Sequence, residues 1–394
     1  MTERTWVTHD VGVSSELIDN VSPSALPSPV QDLQYDLFTQ FFGKSENLSN
    51  TIELWDAIPK YSFTARMQAQ KRDSSGRLPV YQRSFEYRPA PKADNPTLVC
   101  TVSLQPASIL IDGKRVDCYP SADEELVEEV LKKIFTAQAC GLHNSRRGES
   151  WVRFTLHMIR TELARRGRTR SIAEIKQSLE ILSKTVLDVT IEGRGAKKIV
   201  YTNPILNDLT RVTRAELRED PKAMWTARLP ALISTSINAL SYRQFNYAIL
   251  MDLKSPLARW LHKRLSHEYT NAHLSHPYSI LFSTIARDSG LLHNCRPSAN
   301  LQTVERALDE LKERRVLWTY SAERRDEKTA ILDVLFTLTP HSDFVDDIKA
   351  ANARARDARS ILLNAGLLSA QRPEEPATGF RQLSPPRLRK AVEA

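Results

Sequence analysis

The chain has 394 residues, 41% hydrophobic and 26% charged, with a formal net charge of +8; this suits a globular protein of two domains plus tails. No apolar run reaches the roughly 18 residues of a membrane helix, and the first residues lack a basic stretch followed by an apolar one, so neither a membrane span nor secretion is expected. Cys100, Cys118, Cys140 and Cys295 are scattered, with no CxxC pair, as expected of reduced thiols in a cytoplasmic protein.

Charge is unevenly distributed. Residues 1–50 carry two basic and seven acidic side chains, net −5, which leaves +13 on the remainder. A basic body suits either a polyanion such as nucleic acid or plain solubility. The acidic front is rich in Ser, Pro and Asp and is expected to be unfolded. Within it lies "QYDLF", Gln34, Tyr35, Asp36, Leu37 and Phe38, an apolar pair with no local core. Such a peptide suits the groove of another protein, and the competing reading is a local hydrophobic contact with the chain's own body.

The aromatic-rich run 51–65 begins the ordered body, and "YQRSFEYRP", "LVCTVSL" and "SILIDG" between 80 and 120 are expected strands. Asp123 to Ala139 has helical spacing, with acids first and lysines later. Its acidic cluster is expected to be a solvated face. The run 239–269 is expected to be largely helical and broken near Pro256, with Ser255 and Pro256 starting a new helix.

An internal repeat organises the rest. "SIAEIKQSLEILSKT" at 171–185 has the stripe Ile172, Ile175, Leu179, Leu182, and "NLQTVERALDELKER" at 300–314 has Leu301, Val304, Leu308, Leu311, offset by 129. Each helix is followed by two strand-like runs joined by a basic turn. Each is preceded by a short strand and a helix, with Thr155 and Ser283 as N-cap candidates. The order is that of a winged helix-turn-helix, present twice; two unrelated α+β domains with ordinary amphipathic helices are the competing reading. The expected fold is α+β: a disordered segment 1–50, winged-helix domains at 51–220 and 221–345, and a tail at 346–394.

In a helix-turn-helix the second helix enters the major groove. The stripes leave Arg296, Ser298, Asn300, Gln302, Thr303 and Arg306 outward in the second copy, a set suited to base edges. In the first copy Arg168, Arg170, Glu174, Lys176 and Gln177 face out, more basic and better matched to phosphate. The wings add Arg194, Lys197, Lys198, Arg324, Arg325 and Lys328 as phosphate contacts. For any single cation here a solvated surface charge is the competing reading.

Enzymatic signatures are missing. "GRGAKK" at 193–198 has the wrong spacing for a phosphate loop. His262, His267, His273 and His276 fit no zinc motif and are expected to face solvent or cap helices. No cofactor, metal or catalytic residue is expected.

Several segments then align with one family. "NTIELWDAIPKY", "SADEELVEEVLKKIF", "SPLARWLHKRLSHE" and "TVERALDELKERRVL", in that order, resemble iteron-binding plasmid replication initiators of the TrfA type. The resemblance covers residues ~30–345 as two repeated domains. "QYDLF" resembles the QLxLF peptide that docks on the bacterial sliding clamp, with Tyr35 in place of the usual Leu. The resemblance implies binding to double-stranded iteron repeats at a plasmid origin, opening of the adjacent duplex, and recruitment of the sliding clamp, host initiator protein and replicative helicase. It also implies monomers for initiation and homodimers for self-repression. The alternatives are a winged-helix transcriptional repressor and, less favoured for want of a His-hydrophobic-His pair, an enzyme such as an origin nickase.

Overall fold

The computed structural model describes residues 32–89, 97–137, 139–192, 198–219, 223–327 and 330–367. The expectation of an unfolded front falls outside these for residues 1–31 and is corrected for 32–50. Asp32 accepts hydrogen bonds from the Gln34 and Tyr35 amides and starts helix α1, Leu33–Thr39. Strand β1, Leu48–Ile52, runs into helix α2, Glu53–Ala57. Then come α3 (Ala65–Lys71), β2 (Tyr81–Tyr87), β3 (Leu98–Gln105), β4 (Ala107–Ile111) and β5 (Lys114–Cys118).

The first helix-turn-helix follows. Helix α4 (Ala122–Phe135) starts at a Ser121–Glu124 capping box. Strands β6 (Gly141–Asn144) and β7 (Glu149–Phe154) lead to α5 (Leu156–Arg165), α6 (Ile172–Lys184), β8 (Val186–Glu192) and β9 (Lys198–Pro204). Thr155 caps α5 as expected, accepting from the Met158 amide. A bridging region holds β10 (Asn207–Thr210), α7 (Arg214–Glu219), β11 (Trp225–Arg228), α8 (Ala231–Asn238), β12 (Tyr242–Asn246) and α9 (Tyr247–Asp252).

The second unit is α10 (Pro256–Glu268), β13 (Tyr278–Leu281), α11 (Phe282–Ser289), α12 (Pro297–Glu313), β14 (Leu317–Glu327) and β15 (Ala330–Pro340). Ser255 caps α10 and Pro256 fills its first turn, as the sequence predicts. Ser283 does not cap α11. Leu281 holds that position, and Ser283 instead bonds Asp333 through its amide and hydroxyl at 3.1 and 2.6 Å. Helix α13, Ser342–Asn364, closes the described chain.

The fold is therefore α+β with two winged helix-turn-helix units, and the repeat reaches further upstream than the sequence suggests. Strands β1 and β12 pair antiparallel, Ile52 opposite Tyr242 and Leu48 opposite Asn246. Each runs directly into a short helix, and the residues ending those helices, Ile58 and Leu253, share φ −66 and ψ 123.

The copies differ in their sheets. In the second, β13 pairs with β15 and completes a three-stranded wing sheet. In the first, β7 pairs with β6 and β11, and the wing hairpin β8–β9 is extended by β3 and β2. The first core runs through Leu250 and Met251, and the second starts at Leu253. The strand β12 was not expected within 239–269; its buried face is lost among the flanking apolar residues.

Helix α13 is a strap across the body. Its start, Phe344, Val345 and Ile348, joins the second core. Its end, Ala358 and Leu362, covers Leu37 of α1.

Candidate nucleic-acid interface

The stripe of α12 is buried as its spacing predicts: Leu301, Val304, Leu308 and Leu311 lie in the second core. That leaves Arg296, Ser298, Gln302 and Arg306 exposed. Thr303 is half-buried and its hydroxyl donates back to the Ala299 carbonyl at 2.9 Å. Asn300 departs from its expected role. Its amide donates to the Asn294 carbonyl at 2.9 Å, and its carbonyl oxygen accepts from the Asn294 amide at 3.0 Å. Both ends of the side chain are spent on shaping the turn before α12.

Gly290 ends α11 at φ +65, and a Cβ there would sit 2.7 Å from the Ser62 hydroxyl. The left-handed turn and the contact with the first unit both require glycine. That contact continues from β2, where the Arg83 Nε donates to the Arg287 carbonyl at 3.0 Å.

In α6 the residues Ile175, Leu179 and Leu182 are buried, and Ile172 only partly. Ser171 and Glu174 form a capping box, so Glu174 serves the helix start. Lys176 and Gln177 are exposed. Two neighbouring cations have partners within the chain. The Arg168 guanidinium donates to the carbonyls of Met251 (3.1 Å) and Leu253 (2.6 Å), tying the turn to the link between the units. Arg170 is ion-paired with Asp123 at the start of α4. Arg168 is thus committed to the backbone, whereas the Arg170–Asp123 pair lies at the surface, where an exposed ion pair is weak.

On the wings, Arg324 is exposed on β14. Arg325 also lies in β14, and Lys198 begins β9. Arg194, Lys197 and Lys328 lie outside the described residues.

The peptide Gln34–Phe38 is not displayed. Phe38 is 2% and Leu37 4% exposed. The Phe38 ring packs edge-on to Tyr242 at 4.9 Å and tilted to Phe135 at 5.6 Å. The Tyr35 hydroxyl donates to the Phe135 carbonyl at 2.6 Å, and burial pushes its pKa above the usual phenol range. A Cβ on Gly141 would fall 1.9 Å from that hydroxyl, so glycine is required there. Arg354 of α13 donates to the Leu37 and Phe38 carbonyls at 2.9 and 2.8 Å and to Asn50 at 2.6 Å. The reading of these residues as an exposed partner peptide is corrected: the Leu-Phe pair fills this chain's own core.

The acidic face of α4 is likewise not solvated. Glu125, Glu128, Glu129 and Asp56 are buried with Lys60, Lys132, Arg259 and Lys263, four carboxylates against four cations. Lys263 reaches Glu129 at 2.6 Å, and Lys132 reaches Asp56 and Glu129 at 2.8 Å each. Arg259 meets Glu125 at 2.9 Å. Despite burial, the surrounding ammonium groups hold Asp56 well below the usual carboxylate range. Burial also opposes ionisation of Glu125, but Arg259 and Lys263 outweigh it and lower its pKa. This cluster joins α4 of the first unit to α10 of the second.

His262 and His267 are buried rather than solvent-facing. Burial lowers the His262 pKa to about 3, which keeps it neutral beside Phe245. Among the described residues no cluster of His, Cys, Asp and Glu could hold a metal, and no helix is long and apolar enough to cross a membrane.

No family model and no curated protein matches the sequence. Among solved structures, domains 2 and 3 of RctB align at 12% identity over 75% of this chain and 98% of that one, TM-score 0.42. The Pi initiator protein in complex with iteron DNA aligns at 9% identity over 56% of this chain and 91% of that one, TM-score 0.38. Likeness at this level identifies neither a ligand nor an activity, and the fold stands on the chain's own topology.

Proposed function

We propose that this protein is a plasmid replication initiator that binds direct repeats in origin DNA. The observation that carries the DNA-binding part is the outward side of α12 and its N-cap, where Arg296, Gln302 and Arg306 stand exposed above a buried stripe. Arginine matches guanine and glutamine adenine through paired hydrogen bonds. The initiator part rests on the ordered resemblance of the segments described above. Recruitment of host initiator protein and replicative helicase, and the monomer–dimer exchange, belong to the same proposal. The protein acts by binding energy, without a catalytic step.

Footprinting on the plasmid's own origin tests the proposal; repeated protection in register with direct repeats is the expected result. Protection confined to a promoter, or none, would overturn the initiator reading. Arg296→Ala and Arg306→Ala are each expected to cost about 1–3 kcal/mol on the protected sequence and to relax selectivity against scrambled duplex. Asn300→Ala is expected to act differently. It leaves the Asn294 amide and carbonyl without their partner, lowers unfolding stability by about 1 kcal/mol, and weakens binding through a loosened turn.

Clamp docking through Gln34–Phe38 enters the proposal only as a step that follows release of α1 from its groove. The burial of Leu37 and Phe38 favours a second reading, a repressor with two winged helices, because it withdraws the feature that would separate an initiator from a repressor. Pull-down of the full chain by the sliding clamp, with and without DNA, distinguishes them. Retention in either state supports the initiator, and none in both supports the repressor.

A further inference from the structure

Between α2 and α4 the first unit carries residues 58–121, whereas the second joins the matching helices α9 and α10 through Leu253–Ser255 alone. The described strands of this extra segment touch both the wing and the recognition helix of the first unit. Strand β3 pairs with the wing strand β8, Val102 opposite Val189. The hairpin β4–β5 sits on α6: Ala107 and Ile109 pack on Ile181, and the Lys184 ammonium donates to the Ser108 carbonyl at 3.5 Å.

The register of the hairpin orients its tip. Ala107, Ile109 and Ile111 are opposite Cys118, Val116 and Lys114. Direct partners share one side of an antiparallel pair, so Lys114 lies on the side that meets α6. It is two residues, about 7 Å, along the strand from the Ile109 contact. Arg115 is opposite Leu110 on the outer side. Asp112 and Gly113, at φ 49 and 76, make the tight turn. Lys114 and Arg115 are both exposed.

We infer that the β4–β5 hairpin is a further DNA-contacting element, in which Lys114 and Arg115 hold backbone phosphates beside the groove that α6 engages. The inference rests on the DNA-binding reading above and adds to it a site outside both helix-turn-helix units and both wings. A hairpin fixed to the recognition helix keeps its cations in constant register with that helix. Phosphate contacts of this kind add affinity without sequence preference.

The test is binding of the full chain to a short fluorescein-labelled duplex of random sequence, followed by anisotropy from about 50 to 200 mM salt. Lys114→Ala with Arg115→Ala is expected to flatten the slope of log K against log salt by up to ~2 and to weaken binding by tens-fold near 0.1 M. Lys114→Glu with Arg115→Glu is expected to weaken it further. Lys349→Ala, an exposed cation on α13, is the control and is expected to leave the slope unchanged. Wild-type binding with an unaltered slope in both hairpin variants would overturn the inference and leave the DNA-binding reading standing. Equal flattening in the Lys349 variant would overturn it too, as general charge loss. Wild-type protein with no salt-dependent binding would overturn both.

Discussion

Phe38→Ala is expected to destabilise the protein by about 3–5 kcal/mol, the cost of removing a buried phenyl ring and leaving a cavity. The ring is 2% exposed and wedged between Phe135 and Tyr242, so part of the loss is aromatic contact. Leu37→Ala removes the α1 side chain that meets Ala358 and Leu362 of α13 and is expected to cost about 2–5 kcal/mol. The two sites are neighbours and share the Arg354 clamp, so their effects are not expected to add. Urea unfolding measures each. On sequence grounds alone the same substitutions would leave stability untouched, because an unfolded tail has nothing to lose. Unchanged midpoints would return α1 to the unfolded front and free Leu37 and Phe38 for a partner.

Glu129→Gln is expected to cost about 3–5 kcal/mol, because it strips one carboxylate from a closed set of buried charges. Glu129 is 0% exposed and is approached by both Lys132 and Lys263, so its loss leaves one uncompensated positive charge shared by the two ammonium groups. Lys263→Met is expected to be as damaging, since Glu125, Glu129 and Asp56 all lie within 3.5 Å of that ammonium. Chemical unfolding at neutral pH checks both.

The pH dependence has a definite sign. Asp56 and Glu125 are held below their ordinary values. Their contribution is fully present above the unfolded carboxylate range and is lost as pH falls through the folded values. Burial would lower Lys132 and Lys263, but the carboxylates of Asp56 and Glu129 outweigh it and raise them, so their contribution is present below the unfolded lysine pKa and lost in strong alkali. Acid unfolding below about pH 4 should therefore be steeper in the wild type than in a variant lacking the cluster. Added salt should barely change its stability, because buried pairs are little screened. DNA affinity should fall over the same salt range.

The sequence by itself determined the two helix-turn-helix units. Apolar side chains at helical spacing, in 172–182 and again in 301–311, had one way to be buried, and the strand-forming runs after them had one order in which to pair. Those are local consequences of periodicity, and the caps at Thr155 and Ser255 were legible for the same reason. The tertiary structure decided what each polar or charged group faces. A glutamate on an amphipathic helix looks alike whether water or a lysine 2.6 Å away neutralises it, and only the packing of α10 against α4 supplied Lys263 to Glu129. Arg168 and Asn300 carry the chemistry of DNA contacts, yet backbone carbonyls and amides distant or turned back in the chain claim them first. The same holds for "QYDLF". Its surroundings are too polar to build a core locally, and burial came from Phe135, Tyr242 and Leu362, residues about 100 to 300 positions away along the chain, whose nearness no short-range pattern encodes.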